Sequence, residues 1–371
     1  MKIMSVVGAR PNFMKIAPII RAMKKEKSIT SFLVHTGQHY DQRMSQSFFK
    51  ALGIPQPDVN LGVGSGSHSE QTAKIMLSFE KVVLKERPDL ILVVGDVNST
   101  LACSLVGAKL RVAVGHVEAG LRSFDRDMPE EINRLVTDSL SDILFITSPE
   151  AEVNLLKEGI PKARIFFVGN VMIDTLMENI KKAKDSKILT QLSLKSTPFV
   201  LVTLHRPSNV DTEKSLRKIV TIFKNIQDKV KVVFPVHPRT RKNLFKFIGE
   251  ARLKTMKNLV LLDPLGYLDF LNLMIHARFV MTDSGGIQEE TTVLGVPCLT
   301  MRENTERPIT ITEGTNTLVG LDQAKILGET AKILKGQGKT GQRPKYWDGR
   351  ASQRIIKKLI FLHKQNRLLR Q

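Results

Sequence analysis

Short apolar runs alternate with longer helical patterns along the whole chain, and this alternation constrains the fold more than any other feature. Most runs are continuously apolar, which is typical of strands buried on both faces of a parallel sheet. Repeated strand–helix–strand units therefore predict an α/β fold with doubly wound sheets. The predicted strands are 2–9, 31–37, 90–96, 111–117, 143–148, 165–170, 199–205, 231–237, 259–264, 279–284, 297–301 and 316–320. The predicted helices include 13–26, 70–86, 98–108, 130–140 and 212–228.

Twelve strands are more than one open sheet usually holds, and the 371 residues suffice for two domains. A polar, charged segment over 171–198 is the best candidate for a boundary. We therefore predict two Rossmann-like domains, one over residues 1–170 and one over 171–350. The last predicted helix has an apolar face, and we expect 351–371 to pack back on the first domain.

The chain carries a formal net charge of +20 at pH 7, which raises the question of nucleic-acid binding. Residues 1–150 contribute little, with 18 Lys and Arg against 16 Asp and Glu, and the last 41 residues hold 12 basic side chains against one acid. We interpret the basic end as a solvated helix face. With three Tyr and one Trp, the chain offers few stacking platforms for bases, so no nucleic-acid partner is predicted.

Other bulk features favour a cytoplasmic location. No apolar run approaches the length of a membrane span, and the first apolar run breaks at Gly8, which argues against a secretion signal. Cys103 and Cys298 lie in separate apolar contexts, so they are predicted to be buried thiols rather than a disulfide or a metal pair.

Ligands of open parallel sheets bind beyond the carboxyl ends of the strands, so the residues after each strand carry most of the functional signal. A glycine turn after the first strand leads into a helix with Arg10 and Lys15, which suits a phosphate or carboxylate. A plain tight turn with surface cations fits equally well. The GxGxxG fingerprint of dinucleotide sites is absent, and no nicotinamide cofactor is predicted.

Three carboxylates follow the strands of the first domain, Asp96, Glu118 and Glu130. They are predicted to share one rim, where paired carboxylates can act as base and acid. Two simpler interpretations stay open. Asp96 can cap the next helix, and Glu130 can merely favour a helix dipole.

In the second domain, His205 and His237 each end a predicted strand just before a proline. A buried structural imidazole is one interpretation, but two matching turns favour a functional role. Neither histidine has the spacing of a zinc ligand, and no metal is predicted.

The stretch VMTDSGGIQEETTVLGVPCLTMRENTERP joins a strand, a Gly-Gly turn and a helix. The glycines allow close approach to backbone N–H groups at a helix N-terminus, which favours an anion. Ser284, Gly285, Gly286, Glu290 and Arg307 together predict a site for a diphosphate and a ribose.

These motifs together resemble the non-hydrolysing UDP-N-acetylglucosamine 2-epimerase family. The matching segments, which run from residue 8 to residue 308, are GARPNFMKIAP, HTGQHYD, GDVNST, HVEAGLRS, MPEEINR, GNVMIDT, LHRPSN, PVHPRT, DSGGIQEE and NTERP. The resemblance implies a GT-B architecture, with two Rossmann-like domains facing across a cleft that holds the active site. It also implies a homodimer.

The family's mechanism, elimination of UDP and re-addition through a 2-acetamidoglucal, would interconvert UDP-GlcNAc and UDP-ManNAc for glycan precursor synthesis without a cofactor. By resemblance, the catalytic residues are Asp96, Glu118, Glu130 and His205. The residues expected to bind substrate are Arg10, Lys15, Phe270, Ser284, Gly285, Gly286, Glu290 and Arg307. A second UDP-GlcNAc, bound as activator, would use Gln38, Glu131, Arg206 and His237.

The sequence leaves four other functions open: a hydrolysing 2-epimerase that releases ManNAc and UDP, a 2-epimerase of a modified UDP-HexNAc, a GT-B glycosyltransferase, and a non-catalytic nucleotide-sugar sensor. Fold alone does not separate them. A sensor would tolerate loss of the acid and base groups, which this chain retains.

Overall fold

The computed structural model describes residues 1–37 and 53–366, and within them the chain forms two compact units. The first unit comprises Met1–Thr175 together with Lys345–Gln371, and the second comprises Leu176–Pro344. The division falls inside the helix Val171–Ala183. The domain boundary predicted at 170/171 stays a prediction.

The first unit is built on a parallel sheet in the order β3-β2-β1-β4-β5-β6-β7. Its strands are β1 (Lys2–Val7), β2 (Thr30–His35), β3 (Val59–Asn60), β4 (Leu90–Val94), β5 (Ala113–Ala119), β6 (Ile143–Ile146) and β7 (Ile165–Phe167). Every residue of β4 and β5 is buried, as expected of strands with helices on both faces. The helices of this unit are Arg10–Met23, His68–Glu86, Asn98–Lys109, Pro129–Leu140, Pro149–Lys157 and Ala351–Lys364, with a 3₁₀ turn at Lys162–Arg164.

The second unit repeats the plan with a parallel sheet in the order β10-β9-β8-β11-β12-β13. Its strands are β8 (Phe199–Thr203), β9 (Lys231–Pro235), β10 (Leu259–Leu262), β11 (Phe279–Thr282), β12 (Cys298–Thr300) and β13 (Asn316–Leu318). Its helices are Ile188–Gln191, Pro207–Val210, Glu213–Gln227, Pro238–Phe247, Glu250–Lys254, Tyr267–His276, Gly285–Leu294, Ile309–Thr312 and Gln323–Leu334. The apolar side of Glu213–Gln227 packs into the core of this unit.

All twelve predicted strands are present, so the sequence-based fold class is confirmed. The additional strand β3 has two residues, too short to show a pattern. The first helix was predicted to begin at residue 13 but begins at Arg10. Pro11 fits the first turn of a helix, where its missing N–H costs nothing, and the side chain of Asn12 accepts hydrogen bonds from Gly8 N and Ala9 N.

The C-terminal segment completes the first unit. Trp347 is fully buried and its Nε1 donates to Thr147 O at 2.9 Å. The carboxylate of Asp174 accepts from Ala351 N at 3.0 Å and Ser352 N at 2.7 Å, where the last helix begins. That helix packs against Arg10–Met23. Within the described part of the chain, no helix is long and apolar enough to cross a membrane.

The close approach of Gly169 to the returning segment yields a stability prediction. Gly169 has φ +89°, and a Cβ there would lie 2.0 Å from the carbonyl oxygen of Tyr346. Gly159 has a similar φ of +83° but open space around it. We expect Gly169→Ala to destabilise the protein by about 3 kcal/mol or more and Gly159→Ala by about 1 kcal/mol.

Thermal unfolding of the two glycine variants, monitored by circular dichroism, separates backbone strain from steric overlap. Gly159→Ala is the matched control, since it carries the strain alone. Equal midpoints for the two variants would contradict the close contact at Gly169.

Candidate active site

In each sheet the topology defines one place where a ligand is expected to bind. The strand order reverses between β1 and β4 in the first sheet and between β8 and β11 in the second. At such a switch point the loops beyond the carboxyl ends of the two strands diverge and leave a crevice. The turn before Arg10 and the Gly95–Asp96 turn therefore border one crevice. His205 and Ser284 border the other.

In the first unit, Asp96 forms an ion pair with Arg134. Arg134 Nη1 lies 2.5 Å from Asp96 Oδ2, and the Asp96 carbonyl accepts from Asn133 Nδ2 at 2.9 Å. The helix that follows has Val97 at its N-cap, with no side-chain capping bond. Val97, rather than Asp96, is thus the N-cap residue of that helix, and the capping alternative for the Asp96 side chain stays a prediction. This side chain is 26% exposed and accessible to a ligand.

Glu118 has the most unusual backbone of the three predicted carboxylates. Its φ is +77°, in the left-handed region that non-glycine residues rarely adopt. The pairing of β5 with β6 shifts register between Val117 and Ala119, so Glu118 is bulged out of the ladder. The bulge brings its carboxylate against Lys15 Nζ in a buried ion pair. Strain of this kind costs on the order of 1–3 kcal/mol and is concentrated at functional sites.

A buried pair between His116 and Asp138 links the elements that carry these carboxylates. His116 Nδ1 lies 2.6 Å from Asp138 Oδ1, and its Nε2 lies 2.8 Å from the carbonyl oxygen of Gly95. The carbonyl oxygen and the ionised carboxylate accept hydrogen bonds, which suits an imidazole that donates from both ring nitrogens. Burial raises the pKa of Asp138, but the charge and hydrogen bond of His116 hold it below its ordinary value.

The same carboxylate reaches the strand end that follows Glu118. Asp138 Oδ2 accepts from Gly120 N at 3.0 Å and pairs with Arg122 Nη2 at 2.7 Å. The His116–Asp138 pair therefore ties the Gly95–Asp96 turn, the Glu118 bulge and the helix Pro129–Leu140 to one another.

Glu130 and Glu131, in the first turn of the helix Pro129–Leu140, differ sharply in environment. Glu130 is exposed, and its role as acid or base stays a prediction. Glu131 is buried, accepts from Ser123 N at 3.0 Å and Phe124 N at 2.9 Å, and pairs with Arg134. Burial raises the pKa of Glu131, but these hydrogen bonds and Arg134 lower it below its usual range. Glu131 therefore holds the loop at Ser123 and Phe124 against the helix Pro129–Leu140.

Three further predicted residues belong to the first unit. Lys15, predicted to bind substrate, is buried in the ion pair with Glu118. Arg10 is the first residue of the helix Arg10–Met23. Gln38, predicted for the activator site, lies outside the described residues.

In the second unit, Asp283 organises the turn that carries His205. Its carboxylate accepts from His205 N at 3.1 Å, Arg206 N at 2.9 Å and Asn209 Nδ2 at 3.0 Å. His205 Nδ1 also lies 3.1 Å from Asp283 Oδ1. Burial raises the pKa of Asp283, but the hydrogen bond to His205 and its neighbours lower it below the usual range.

The Gly-Gly turn lies directly against Arg307. A Cβ at Gly285 would come within 2.3 Å of Arg307 Nη1, so only glycine leaves room for the guanidinium at this helix N-terminus. Arg307 Nε donates to Glu289 Oε1 at 2.6 Å, and Nη1 donates to Glu306. The structure thus brings Gly285 and Arg307 together as predicted, with Ser284 and Gly286 in the same partly exposed turn.

Glu290 is buried in the helix Gly285–Leu294 and receives a hydrogen bond from Tyr267. The phenolic oxygen lies 2.6 Å from Glu290 Oε1. Burial raises the pKa of Glu290 to about 7, against the lowering effect of the Tyr267 hydrogen bond. Burial and the neighbouring Glu290 also raise the pKa of Tyr267. Phe270 lies half-buried on the next turn of the helix that starts at Tyr267.

The two remaining activator candidates have local structural contacts. Arg206 Nε donates to Asp283 O at 3.0 Å, and its Nη2 lies 3.7 Å from Glu306 Oε1. His237 is exposed, and its Nδ1 accepts from Arg239 N at the start of a helix. The activator role of both stays a prediction.

Sequence reasoning missed several residues of these clusters: Arg134, Asp138, Tyr267, Asp283, Glu289 and Glu306. Asp283 follows β11 directly, so the strand-end rule could have found it. The others lie within helices or loops, and no spacing marks them. Within residues 1–37 and 53–366, no group of three or more His, Cys, Asp or Glu is arranged to hold a metal ion.

Comparison with known proteins extends the resemblance to most of the chain. A family model described as UDP-N-acetylglucosamine 2-epimerase matches residues 21–360. The chain is 43% identical to a UDP-N-acetylglucosamine 2-epimerase of Methanocaldococcus jannaschii, covering 97% of this chain and 99% of that protein. It is also 41% identical to a UDP-2,3-diacetamido-2,3-dideoxy-D-glucuronate 2-epimerase of Pseudomonas aeruginosa, covering 98% and 100%.

Solved structures give the same result. The structure is similar to a crystal structure of the Methanocaldococcus jannaschii UDP-GlcNAc 2-epimerase in complex with UDP-GlcNAc and UDP, with a TM-score of 0.89 and 42% identity. The match covers 97% of this chain and all of that one. The predicted GT-B fold class is confirmed by this likeness. With the family model and the relatives, it shows that the chain belongs to the UDP-N-acetylglucosamine 2-epimerase family, whose named members here are isomerases.

Proposed function

We propose that the protein interconverts UDP-GlcNAc and UDP-ManNAc by reversible epimerisation at C2. The observation that carries the proposal is Glu118, a carboxylate held by a strained bulge beside Lys15 and next to the Gly95–Asp96 turn. A buried, strained acid is costly to a purely structural site. Relatives named for this activity support the same reaction.

The proposed reaction is an elimination followed by re-addition. A base takes the C2 proton, the C2–H electron pair forms the C1–C2 double bond, and the C1–O bond breaks with its electrons leaving on a phosphate oxygen of UDP. The products are UDP and 2-acetamidoglucal. Attack of the same UDP oxygen on C1, with protonation of C2 from the opposite face, gives the manno epimer. Asp96, Glu118 and Glu130 share the base and acid roles, which exchange when the direction reverses.

In this proposal, the second unit holds the nucleotide. The N-terminus of the helix Gly285–Leu294 and the guanidinium of Arg307 suit the diphosphate. Ser284 and Gly286 border the same turn, and Lys15 and Arg10 belong to the proposed substrate-binding residues by the family resemblance. Glu290 accepts the ribose hydroxyls and Phe270 lines the uracil pocket. His205 stabilises the leaving phosphate oxygen.

A modified sugar is a second candidate substrate. The Pseudomonas aeruginosa relative, named for a diacetamido uronate, is nearly as similar to this chain as the relatives named for UDP-GlcNAc. Its substrate differs at C3 and C6, away from the reacting C1 and C2. The proposed chemistry is therefore the same for both sugars.

We also propose that the enzyme acts as a cytoplasmic homodimer and that Gln38, Glu131, Arg206 and His237 hold a second UDP-GlcNAc as activator. Both cysteines are free and buried, in keeping with a reducing compartment. Among these four residues, Glu131 already binds two backbone amides, so its part in an activator site would require that loop to open.

The proposed reaction predicts exchange of the C2 proton with solvent. Incubation with UDP-GlcNAc in deuterated water, with no added nicotinamide or metal, should give UDP-ManNAc and place deuterium at C2 of both epimers. Proton NMR of the sugar H2 signal measures both outcomes. Epimers without deuterium would exclude elimination, free ManNAc would indicate the hydrolysing reaction, and transfer to an added sugar acceptor would indicate a glycosyltransferase.

Amide variants test the carboxylates of the first unit. Asp96→Asn and Glu118→Gln keep the shape of each side chain but remove the charge, so turnover should fall about 10²–10⁴-fold in at least one of them. Asp142→Asn is the matched control. Asp142 accepts from Val114 N at 2.8 Å just before β6, at the opposite end of the strands. Turnover near the wild-type rate in both test variants, with UDP binding intact, would remove these residues from the chemistry.

The raised pKa of Glu290 predicts how stability depends on pH. Below the unfolded pKa of 4.5, the group is protonated in both states and contributes nothing. Between pH 4.5 and about 7, Glu290 ionises only in the unfolded chain. The free energy of unfolding therefore falls by on the order of 3 kcal/mol over this range. Glu290→Gln should remove this decline.

Thermal midpoints of the protein between pH 5 and pH 8 test the Glu290 prediction. Glu213→Gln is the control, since Glu213 forms an exposed surface pair with Arg217. The control should retain the wild-type pH profile. If Glu290→Gln retained it too, the decline would have another origin.

A further inference from the structure

Asp283 differs from an ordinary buried structural carboxylate. Asp174, which is equally buried, uses its two oxygens to accept backbone N–H groups at the start of the last helix. Asp283 also accepts two backbone N–H groups, from His205 and Arg206. In addition, it contacts an imidazole ring, with His205 Nδ1 3.1 Å from its Oδ1. Backbone anchoring alone does not require this contact.

The contact relates the position of the ring proton of His205 to the Asp283 carboxylate. The Asp283 carboxylate only accepts hydrogen bonds, and its pKa is held below the usual range. A hydrogen bond across this contact therefore requires the proton on Nδ1 of His205. The side chain of His205 is 52% exposed, so the ring is accessible to a ligand.

We propose that Asp283 is a positioning residue, which orients His205 through Nδ1 and presents Nε2 to the leaving phosphate oxygen of UDP. This inference rests on the proposed function. With Nδ1–H directed at the carboxylate, the proposal places a second proton on Nε2, which donates to the oxygen as negative charge develops there. Asp283 itself does not touch the substrate. Asp283 directly precedes Ser284 and Gly285 in the chain. Its side chain therefore holds the turn at His205 and Arg206 next to the turn at Ser284 and Gly285 that is proposed to bind the diphosphate.

A double-mutant cycle separates positioning from simple structural support. Outer partners that orient a metal-binding histidine typically contribute about 10–100-fold, and we expect Asp283→Asn to lower kcat on that order. His205→Asn should lower kcat at least as much. If Asp283 acts through His205, the double variant should stay within about twofold of His205→Asn alone. Multiplied losses in the double variant would overturn the proposal, as would an unchanged kcat in Asp283→Asn.

Asp174→Asn provides the matched control for the loss of a buried carboxylate that accepts two backbone amides. It should lower the unfolding midpoint and leave kcat of the folded enzyme near the wild-type value. Circular dichroism and UDP binding by calorimetry establish that each variant is folded. A fall in kcat for Asp174→Asn as large as that for Asp283→Asn would mean that any such loss disturbs turnover, and would overturn the proposal.

A measurement on the wild-type enzyme tests the proposal without turnover. The chain has eight histidines, and His205 can be assigned in ¹⁵N-histidine NMR spectra as the signal absent from His205→Asn. We expect Nδ1 of His205 to be protonated, and Asp283→Asn to shift the neutral ring toward the Nε2–H tautomer. An unprotonated Nδ1 in the wild type would refute the contact. If the tautomer is as expected but UDP-GlcNAc is not epimerised, the proposed function fails while the positioning of His205 stands.

Discussion

The buried pair of His116 and Asp138 is the interaction on which the candidate acid–base site depends. It joins the carbonyl of Gly95, the amide of Gly120 and a helix that carries three more charged residues of the cluster. Removing either partner would leave a buried charge, which typically costs about 3–5 kcal/mol. The pair does not need to touch a substrate to matter. It connects the Gly95–Asp96 turn at the end of β4 with the end of β5, where Glu118 lies.

In the second unit, a single residue, Asp283, connects the neighbouring strand ends. Asp283 follows β11 and accepts hydrogen bonds from the turn that follows β8. It therefore connects the two strand ends between which the strand order of this sheet reverses. In both units an aspartate accepts a backbone N–H at a strand end and contacts a histidine. The environments differ, since His116 is fully buried between two acceptors whereas His205 is half exposed. Burial suits a fixed charge, and exposure suits a group that meets a ligand.

The sequence predicted the sheets and the strand-end residues because both follow from local pattern. Buried strands are continuous apolar runs, and a functional side chain just after one is readily noticed. Pairings across long sequence separations have no such signal. Asp283 lies 78 positions from His205, and Trp347 lies 200 positions from its acceptor at Thr147. The left-handed backbone of Glu118 could not be predicted from the sequence either, because that conformation is usually adopted by glycine.

The return of the chain to its first unit has a consequence for how the protein is made. The second unit is one continuous stretch, Leu176–Pro344, whereas the first is assembled from both ends of the chain. During vectorial synthesis, where domains tend to fold as units, the second unit has all its residues before Trp347 and the last helix exist. The unit that is begun first is therefore finished last. Until then, the face of Arg10–Met23 that the last helix will cover remains exposed to other apolar surfaces in the cell.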